Sequence, residues 1–518
     1  MIPRDLGEVL VFDIGTTAVK GGVFESSGKV RAIASRPLPA ARPLPRTGSR
    51  SSSSPSPKAR APAGRGISGD FPLDPLAQEV DARLWTDALS RLCADLDVCG
   101  QRPRCVVVSG NGPTLVPIGA DGQPLAPAIT WMDRRAAEES RIVTAALGYY
   151  VDPTFYLPKA LWFFRNRRDV YDRTASFLSC PEFVAHFLTG EACAFLPAEG
   201  FQRLIWSTDS IRALAMDPEK FPPYVRTARV VGNVTGEAAR RTGVPAGTPV
   251  VAGGPDFIMS ILGTAATRPG RVCDRAGTSE GINLCALQKV QDPRLLDLPH
   301  VIEPLWNVSA PISTTGKAVA WFKETMGSGE TDYPTFLESV RGAAPGANRL
   351  VFLPYLCGER APIWDSNARG VFLGLALNHG SREMARAVVE STGYAIRDVI
   401  EVMESHGSEV TELRATGQPA KSAAWNQIKA DITGKPICVP EVEEAELMGD
   451  ACVGLCALGE FSRLDEAAET LVRLKTTYRP DPTAAGLYRE LFSIYRRAYA
   501  ALKPVFEQLA AHREETRG

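Results

Sequence analysis

Residues 9–23 read VLVFDIGTTAVKGGV, and the fold turns on how that stretch is read. Four apolar residues, Val9, Leu10, Val11 and Phe12, run into Asp13, Gly15, Thr16 and Thr17, and a second apolar run follows through Val19 and Val23. A short apolar run bounded by turn residues predicts a buried strand, and the second run predicts its hairpin partner. The polar chemistry therefore falls in the turn. Gly15 lets the backbone approach a ligand closely, the hydroxyls of Thr16 and Thr17 can donate to phosphate oxygens, and Asp13 faces the same space as a place for a hydrated magnesium ion. An ordinary tight turn is the competing reading of so short a string.

The same pattern returns at residues 271–281, RVCDRAGTSEG, where Gly277, Thr278 and Ser279 repeat the glycine-plus-hydroxyl turn. Two such turns about 260 residues apart, each after a short strand, predict two similar α/β domains facing one cleft. Between them, a strand over 250–252 opens into Gly253, Gly254, Pro255 and Asp256. A single carboxylate at a glycine-rich strand exit is placed like a general base at a cleft edge, with a helix cap as the alternative. Another strand, 105–108, ends in Ser109, Gly110, Asn111 and Gly112. Trp131, Asp133 and Arg135 combine an aromatic plate, a carboxylate and a guanidinium, which suits a polyhydroxylated ligand. A helix N-terminus capped by Asp133 explains the same residues equally well.

Elsewhere the chain reads as scaffold. Residues 37–70 are Pro, Ser, Arg and Gly with almost nothing apolar, a composition that predicts a disordered surface loop without assigned function. Glu79, Asp81 and Trp85 lead into a helix over 84–96, and 137–244 reads as mostly helical. Thr314, Thr315 and Gly316 precede a helix near Ala318, and a long amphipathic helix from Ser381 carries Met384, Val388, Ala395, Val399 and Met403 on one stripe. A strand over 412–416 leads through Gly417 to a helix over 421–433, and 444–458 is a helix of small residues suited to close packing on a sheet. The final helices, 484–512, are amphipathic enough to cross back onto the first domain.

A chain of 518 residues implies two or three domains, and 44% hydrophobic with 23% charged residues is a soluble, globular composition. The net charge of −1 argues against a nucleic-acid or membrane footprint, leaving small-molecule ligands as the expected partners. Eleven scattered cysteines without metal-ligand spacing predict buried thiols in a reducing cytoplasm and give no sign of zinc. No stretch of 18 uncharged apolar residues is present.

Taken together these residues resemble the FGGY carbohydrate kinases of the actin-like ATPase superfamily, most closely their xylulokinase-like branch. The resemblance rests on the Asp13 hairpin, Glu79/Asp81/Trp85, Trp131/Asp133/Arg135, Gly254/Asp256, the 277–279 turn, residues 358–365 (GERAPIWD), Lys421 to Gln427 and Glu444 with Gly449. It implies an α/β fold of two ribonuclease-H-like domains flanking a central cleft: residues 1–262 hold the sugar or polyol, and 263–518 hold most of the ATP and magnesium (Mg2+). Asp256 then stands as general base and substrate ligand beside Glu79, Asn111, Trp131, Asp133 and Arg135. Asp13 positions the metal, Gly15, Thr16 and Thr17 the phosphates, and Gly277, Thr278 and Ser279 hold them from the other side. Gly316, Gly417, Lys421 and Gln427 bind the nucleotide. The implied reaction is ATP-dependent phosphorylation of a sugar or polyol hydroxyl, a ketopentose such as xylulose being favoured, in a cytoplasmic protein compatible with a homodimer.

Two departures from the family pattern carry expectations of their own. The exit at 109–114, SGNGPT, is shorter than the xylulokinase pattern and lacks its Met-His pair, which widens the substrate question. Gln418 and Pro419 stand where glycines are usual, and proline neither donates a hydrogen bond nor takes a positive φ, which points to weakened nucleotide binding. A catalytically weak sugar or nucleotide sensor is the alternative these departures raise. An actin-like chaperone or filament protein shares the hairpin but leaves Trp131 to Arg135 and Asp256 unexplained.

Overall fold

The opening stretch folds as a hairpin. In this computed structural model, which describes residues 8–39, 78–98, 102–326 and 332–515, β1 (Glu8–Ile14) pairs antiparallel with β2 (Ala18–Glu25), setting Asp13 opposite Lys20. The Pro/Ser/Arg/Gly-rich insertion, from residue 40 on, and the resumption of order expected at Leu76 lie outside the described residues. Strand β3 (Val30–Pro37) continues the meander, and β4 (Cys105–Gly110) lies parallel to β1 on its other flank. With β5 (Val230–Asn233) and β6 (Pro249–Pro255) the sheet runs β5-β6-β4-β1-β2-β3. Strands β1, β4 and β6 are apolar in consecutive residues because the sheet is covered on both faces, as parallel strands require. The edge strand β5 falls in the 137–244 stretch expected to be helical. It is short and pairs only with β6, so its alternation carries little signal.

A second sheet repeats the plan. Strands β7 (Arg271–Ala276) and β8 (Glu280–Ala286) form the hairpin, β9 (Leu296–Pro299) and β10 (Trp306–Ile312) extend it, and β11 (Glu412–Thr416), β12 (Ile437–Pro440) and β13 (Leu474–Tyr478) complete the order β9-β10-β8-β7-β11-β12-β13. In both sheets the first strand hairpins to the second and has a parallel strand on its other side. The turns at 15–17 and 277–279 therefore occupy equivalent places, next to the carboxyl ends of parallel strands, where open α/β sheets bind ligands.

The helices that frame this region are α1 (Asp256–Gly263), α2 (Gly316–Thr325), α3 (Ser381–Ser405), α4 (Ala423–Thr433), α5 (Ala445–Ala457) and α6 (Ala485–Glu515). The expected helix from Lys421 starts later. Gln418–Lys421 form a single 3-10 turn, and Ser422 caps α4 by accepting the Trp425 N–H at 3.2 Å.

The crossing back onto the first sheet is made by a different segment from the one expected. Helix α6 stays with the second half, packing Tyr488, Phe492 and Tyr495 against Tyr355 and Tyr394. It is α5 that crosses over: its Gly454 leaves room for Val9, Cys105 and Val107 of the first sheet. The physical reason is in the side chains. A helix reading AELMGDACVGLCA carries apolar or small residues on every side, with only Glu446 and Asp450 charged, and must be covered all round, whereas one apolar stripe, as on α6, is satisfied by one partner. Along the α1–α5 crossing a Cβ on Gly263 would meet the Ala445 carbonyl oxygen at 1.8 Å, and one on Gly449 the Met259 oxygen at 2.0 Å.

A brace joins the halves on another side. Glu303 accepts the Glu199 N–H at 3.1 Å and pairs with Arg226, and the segment carrying it is anchored by His300, buried at 1% exposure. The imidazole accepts the Ile302 N–H at 2.9 Å on Nδ1 and lies 3.2 Å from the Ala266 oxygen on Nε2, the arrangement of a neutral ring. Burial lowers its pKa to about 4. The unfolded chain takes this proton below pH 6.5 and the folded chain does not, so stability is lost as pH falls. From this group alone wild type is expected to lose about 3 kcal/mol between pH 7 and pH 4. In urea titrations at both pH values the stability gap between wild type and His300→Gln should narrow by that amount; an equal gap would rule the linkage out.

Candidate active site

Asp13 ends a buried strand, and its carboxylate has nowhere to go but the cleft. It is 6% exposed, its Oδ1 has no protein partner, and its pKa is pushed up to about 8, first by burial and then by the charges of Glu446 and Asp256. Lys20, opposite it in the hairpin, pulls the other way but is itself paired with Glu444 at the head of α5. Glu446 accepts a hydrogen bond from Ser260 Oγ of α1 at 3.0 Å. Carboxylates from both halves thus converge on one orphaned oxygen, an arrangement that a divalent cation relieves. Among the described residues no group of three or more His, Cys, Asp or Glu is spaced to hold an ion unaided. Magnesium does not need such a group, since it keeps most of its water and uses one or two carboxylates together with substrate phosphates.

Asp256 opens α1 directly after β6 and faces the second half of the chain. Its Oδ2 accepts from the Arg275 guanidinium at 3.0 Å. Arg275 lies two residues before the 277–279 turn, so one ion pair links the candidate base to the second phosphate-type turn. Two backbone segments then close on that turn. A Cβ on Gly316 would come within 2.1 Å of the Gly277 oxygen, one on Gly417 within 1.9 Å of the Ala276 oxygen, and Lys317 donates its N–H to Thr278 at 3.1 Å. Gly417 takes φ +87°, supplying the left-handed residue this junction requires. Pro419 sits in the first turn of the short 3-10 segment, where its missing N–H has no role to play. The weakened nucleotide binding expected from Gln418 and Pro419 thus has no cause in the local backbone at Pro419.

The region expected to meet the sugar is built around Trp131, whose indole N–H donates to Thr16 Oγ1 at 3.0 Å and whose ring is 39% exposed. The aromatic plate and the first phosphate-type turn are therefore one unit. Behind it, Asp133 accepts from the Gln78 N–H at 2.6 Å and from the Arg135 guanidinium at 2.7 Å, while Arg135 also reaches Glu79 at 2.5 Å and stacks on Trp162. Asp133 caps no helix, and it is too buried, at 1% exposure, for direct contact with a ligand. Asp133, Arg135 and Glu79, expected as hydroxyl ligands, pair with one another and form a frame behind Trp131. Asn111 is likewise internal: it donates to the Ile14 oxygen at 3.0 Å and accepts from Thr114 at 2.6 Å, tying the 109–114 exit to the first hairpin.

On the nucleotide side Lys421 pairs with Glu443 at 2.9 Å and stays 40% exposed. Gln427 turns the other way, donating to Asp431 and to the Arg479 oxygen, both at 2.8 Å.

Several site residues are absent from the sequence reading. Lys20, a lone charge in an otherwise apolar and glycine-rich strand, was legible in principle, and so was Arg275 beside its turn. Two others depend on tertiary contact. Lys159 is fully buried, its amine donating to the oxygens of Pro113 at 2.5 Å and Thr130 at 2.8 Å, which binds the two substrate-side loops together; burial lowers its pKa to about 7. Tyr156 places its hydroxyl where a Cβ on Gly112 would be 2.8 Å away, and burial followed by the Glu182 charge raises its pKa well above normal.

Residues 78–263 match the N-terminal domain of the FGGY family of carbohydrate kinases, and residues 275–458 match its C-terminal domain. The chain belongs to the FGGY family of carbohydrate kinases. Among curated relatives, a xylulose kinase of Bacillus subtilis is 28% identical over 98% of this chain and 99% of its own. A gluconokinase of the same organism is 26% identical over 77% and 82%. Among solved structures, a ligand-bound xylulose kinase from Lactobacillus acidophilus superposes with a TM-score of 0.82 at 25% identity, covering 97% of this chain and all of that one. The FGGY chain therefore has the two-domain actin-like ATPase fold, and membership implies carbohydrate kinase activity with ATP as donor. Among its described residues no helix is long and apolar enough to cross a membrane.

Proposed function

We propose that this FGGY kinase transfers the γ-phosphoryl group of ATP to a hydroxyl of a neutral ketopentose or pentitol, xylulose being the favoured case, in the cytoplasm. Residues 1–262 hold the acceptor and 263–518 hold most of the nucleotide. The observation that carries this reading is the 3.0 Å contact of Asp256 with Arg275, which sets a carboxylate against the segment leading into the 277–279 turn. Asp256 takes the proton of the attacking hydroxyl, and the backbone donors of the 15–17 and 277–279 turns hold the phosphates. Phosphoryl transfer is chiefly positioning and charge neutralisation, so these parts suffice. Asp13, with its unpartnered Oδ1, would hold magnesium, which when bound would supply further charge neutralisation.

The preference for a neutral acceptor over an aldonate rests on Arg135. Its guanidinium is shared between Asp133 and Glu79 and has no charge to offer a substrate carboxylate. With ATP and magnesium, a panel of ketopentoses, pentitols and gluconate should show kcat/KM at least tenfold higher for a ketopentose than for gluconate. Preference for gluconate would overturn the neutral-substrate assignment, and absence of any phosphorylated product would overturn the reading as a whole. Within it, Tyr156 supplies a hydrogen bond to the acceptor in place of the missing Met-His pair. Tyr156→Phe should raise the sugar KM by about 3- to 10-fold, the range for one neutral hydrogen bond, with the ATP KM unchanged. A sugar KM equal to wild type would remove that role.

A further inference from the structure

Residues 274 and 275 sit on consecutive positions of β7 and so point to opposite faces of the sheet. Asp274 turns inward to a sealed ion cluster, accepting from Lys429 Nζ at 2.8 Å beside Glu280, with all three side chains no more than 1% exposed. That buried anchor, together with the close approach of Gly417 to the Ala276 oxygen, leaves β7 no freedom to slip or rotate. Arg275 is thereby aimed the other way, at the cleft. Its side chain is 34% exposed and that of its partner Asp256 26%, so a ligand can reach both. Two neighbouring cations are engaged elsewhere: Lys20 by Glu444, and Arg360 by Ser313 Oγ and the Ile312 oxygen, each at 3.2 Å.

We propose that Arg275 is a catalytic residue of the transfer step, bridging Asp256 and the migrating phosphoryl group as an arginine finger supplied within the chain. The proposal rests on the kinase reading above. In the reaction the acceptor O–H proton passes to Asp256, and the oxygen electron pair forms the new bond to the γ-phosphorus. The bond from that phosphorus to the β,γ-bridging oxygen breaks, and its electron pair leaves with ADP. Negative charge spreads over the equatorial oxygens of the phosphoryl group while one carboxylate gains a proton and loses its own charge. A guanidinium has a planar fork able to serve both partners at once. It starts on Asp256, and as Asp256 is protonated its hold there weakens while its attraction to the phosphoryl oxygens grows. Lysine, a compact point charge on a flexible stem, cannot span both.

The test uses the full chain as Arg275→Gln and Arg275→Lys, with kcat and KM measured for the best sugar of the panel and for ATP. The Gln variant should lose about 10²- to 10⁴-fold in kcat with the sugar KM within threefold of wild type, the scale of a lost transition-state charge. Arg275→Lys should keep the wild-type melting temperature and recover at least tenfold of that kcat without restoring it fully. It also decides the matter if the Gln variant fails to fold, since its kcat must then lie at least tenfold below wild type. Wild-type kcat in either variant overturns the proposal, as does a loss carried by the sugar KM alone. Failure of the kinase reading itself is distinguishable, because wild type would then phosphorylate nothing in the panel.

Discussion

Asp256→Asn should abolish phosphoryl transfer, lowering kcat by at least about a thousandfold while the sugar dissociation constant stays within threefold of wild type. The substitution is nearly isosteric. The amide oxygen can still accept from Arg275, the position at the head of α1 is kept, and Trp131 with its frame of Asp133, Arg135 and Glu79 is untouched. What disappears is the capacity to take a proton from the attacking hydroxyl. Steady-state assays give the first quantity and calorimetry with sugar alone gives the second. A variant with near-normal turnover would remove Asp256 from the chemistry, and one that no longer bound sugar would make it a ligand only.

A comparably large effect is expected on stability from Gly449→Ala or Gly263→Ala. The added methyl would stand 2.0 Å or 1.8 Å from a backbone oxygen of the opposing helix, and no rotamer change relieves a clash between a Cβ and a main-chain atom. Helices α1 and α5 would have to separate, at a cost of at least about 3 kcal/mol, and a melting temperature lower by about 6–12 °C follows for a domain of this size. Function should suffer with it, because α1 carries Asp256 at its first residue and α5 has Glu444 and Glu446 at its head. Thermal unfolding followed by circular dichroism measures the first effect and kcat the second. A melting temperature within 2 °C of wild type would show that the crossing yields more readily than its geometry implies.

The two predictions draw on different kinds of information. Asp256 was legible as a candidate because a lone carboxylate after a short strand and two glycines has few structural uses. Gly449 was legible only as a small residue allowing close packing. Which surface it packs on could not be read, since an all-round apolar helix advertises burial but not its partner. The same limit explains why the crossing was assigned to the last helices and not to α5. Around Trp131, Asp133, Arg135 and Glu79 were found by residue type, but their pairing with one another was not. Three charges close in space satisfy one another, and that mutual pairing, absent from any linear pattern, moves them behind the ring they were thought to accompany.

Local sequence alone settled the two hairpins, their glycine-and-hydroxyl turns, the strand leading to Asp256 and the duplication that relates the two sheets, because each depends on residues within a few positions of one another. Tertiary structure alone decided that Arg275 faces Asp256, that Lys159 ties two loops together, that Gln427 donates to the Arg479 oxygen and that α5 seals the back of the first sheet. Those outcomes depend on how side chains from distant segments compete for charge and space, a competition that begins only when the sheets have packed.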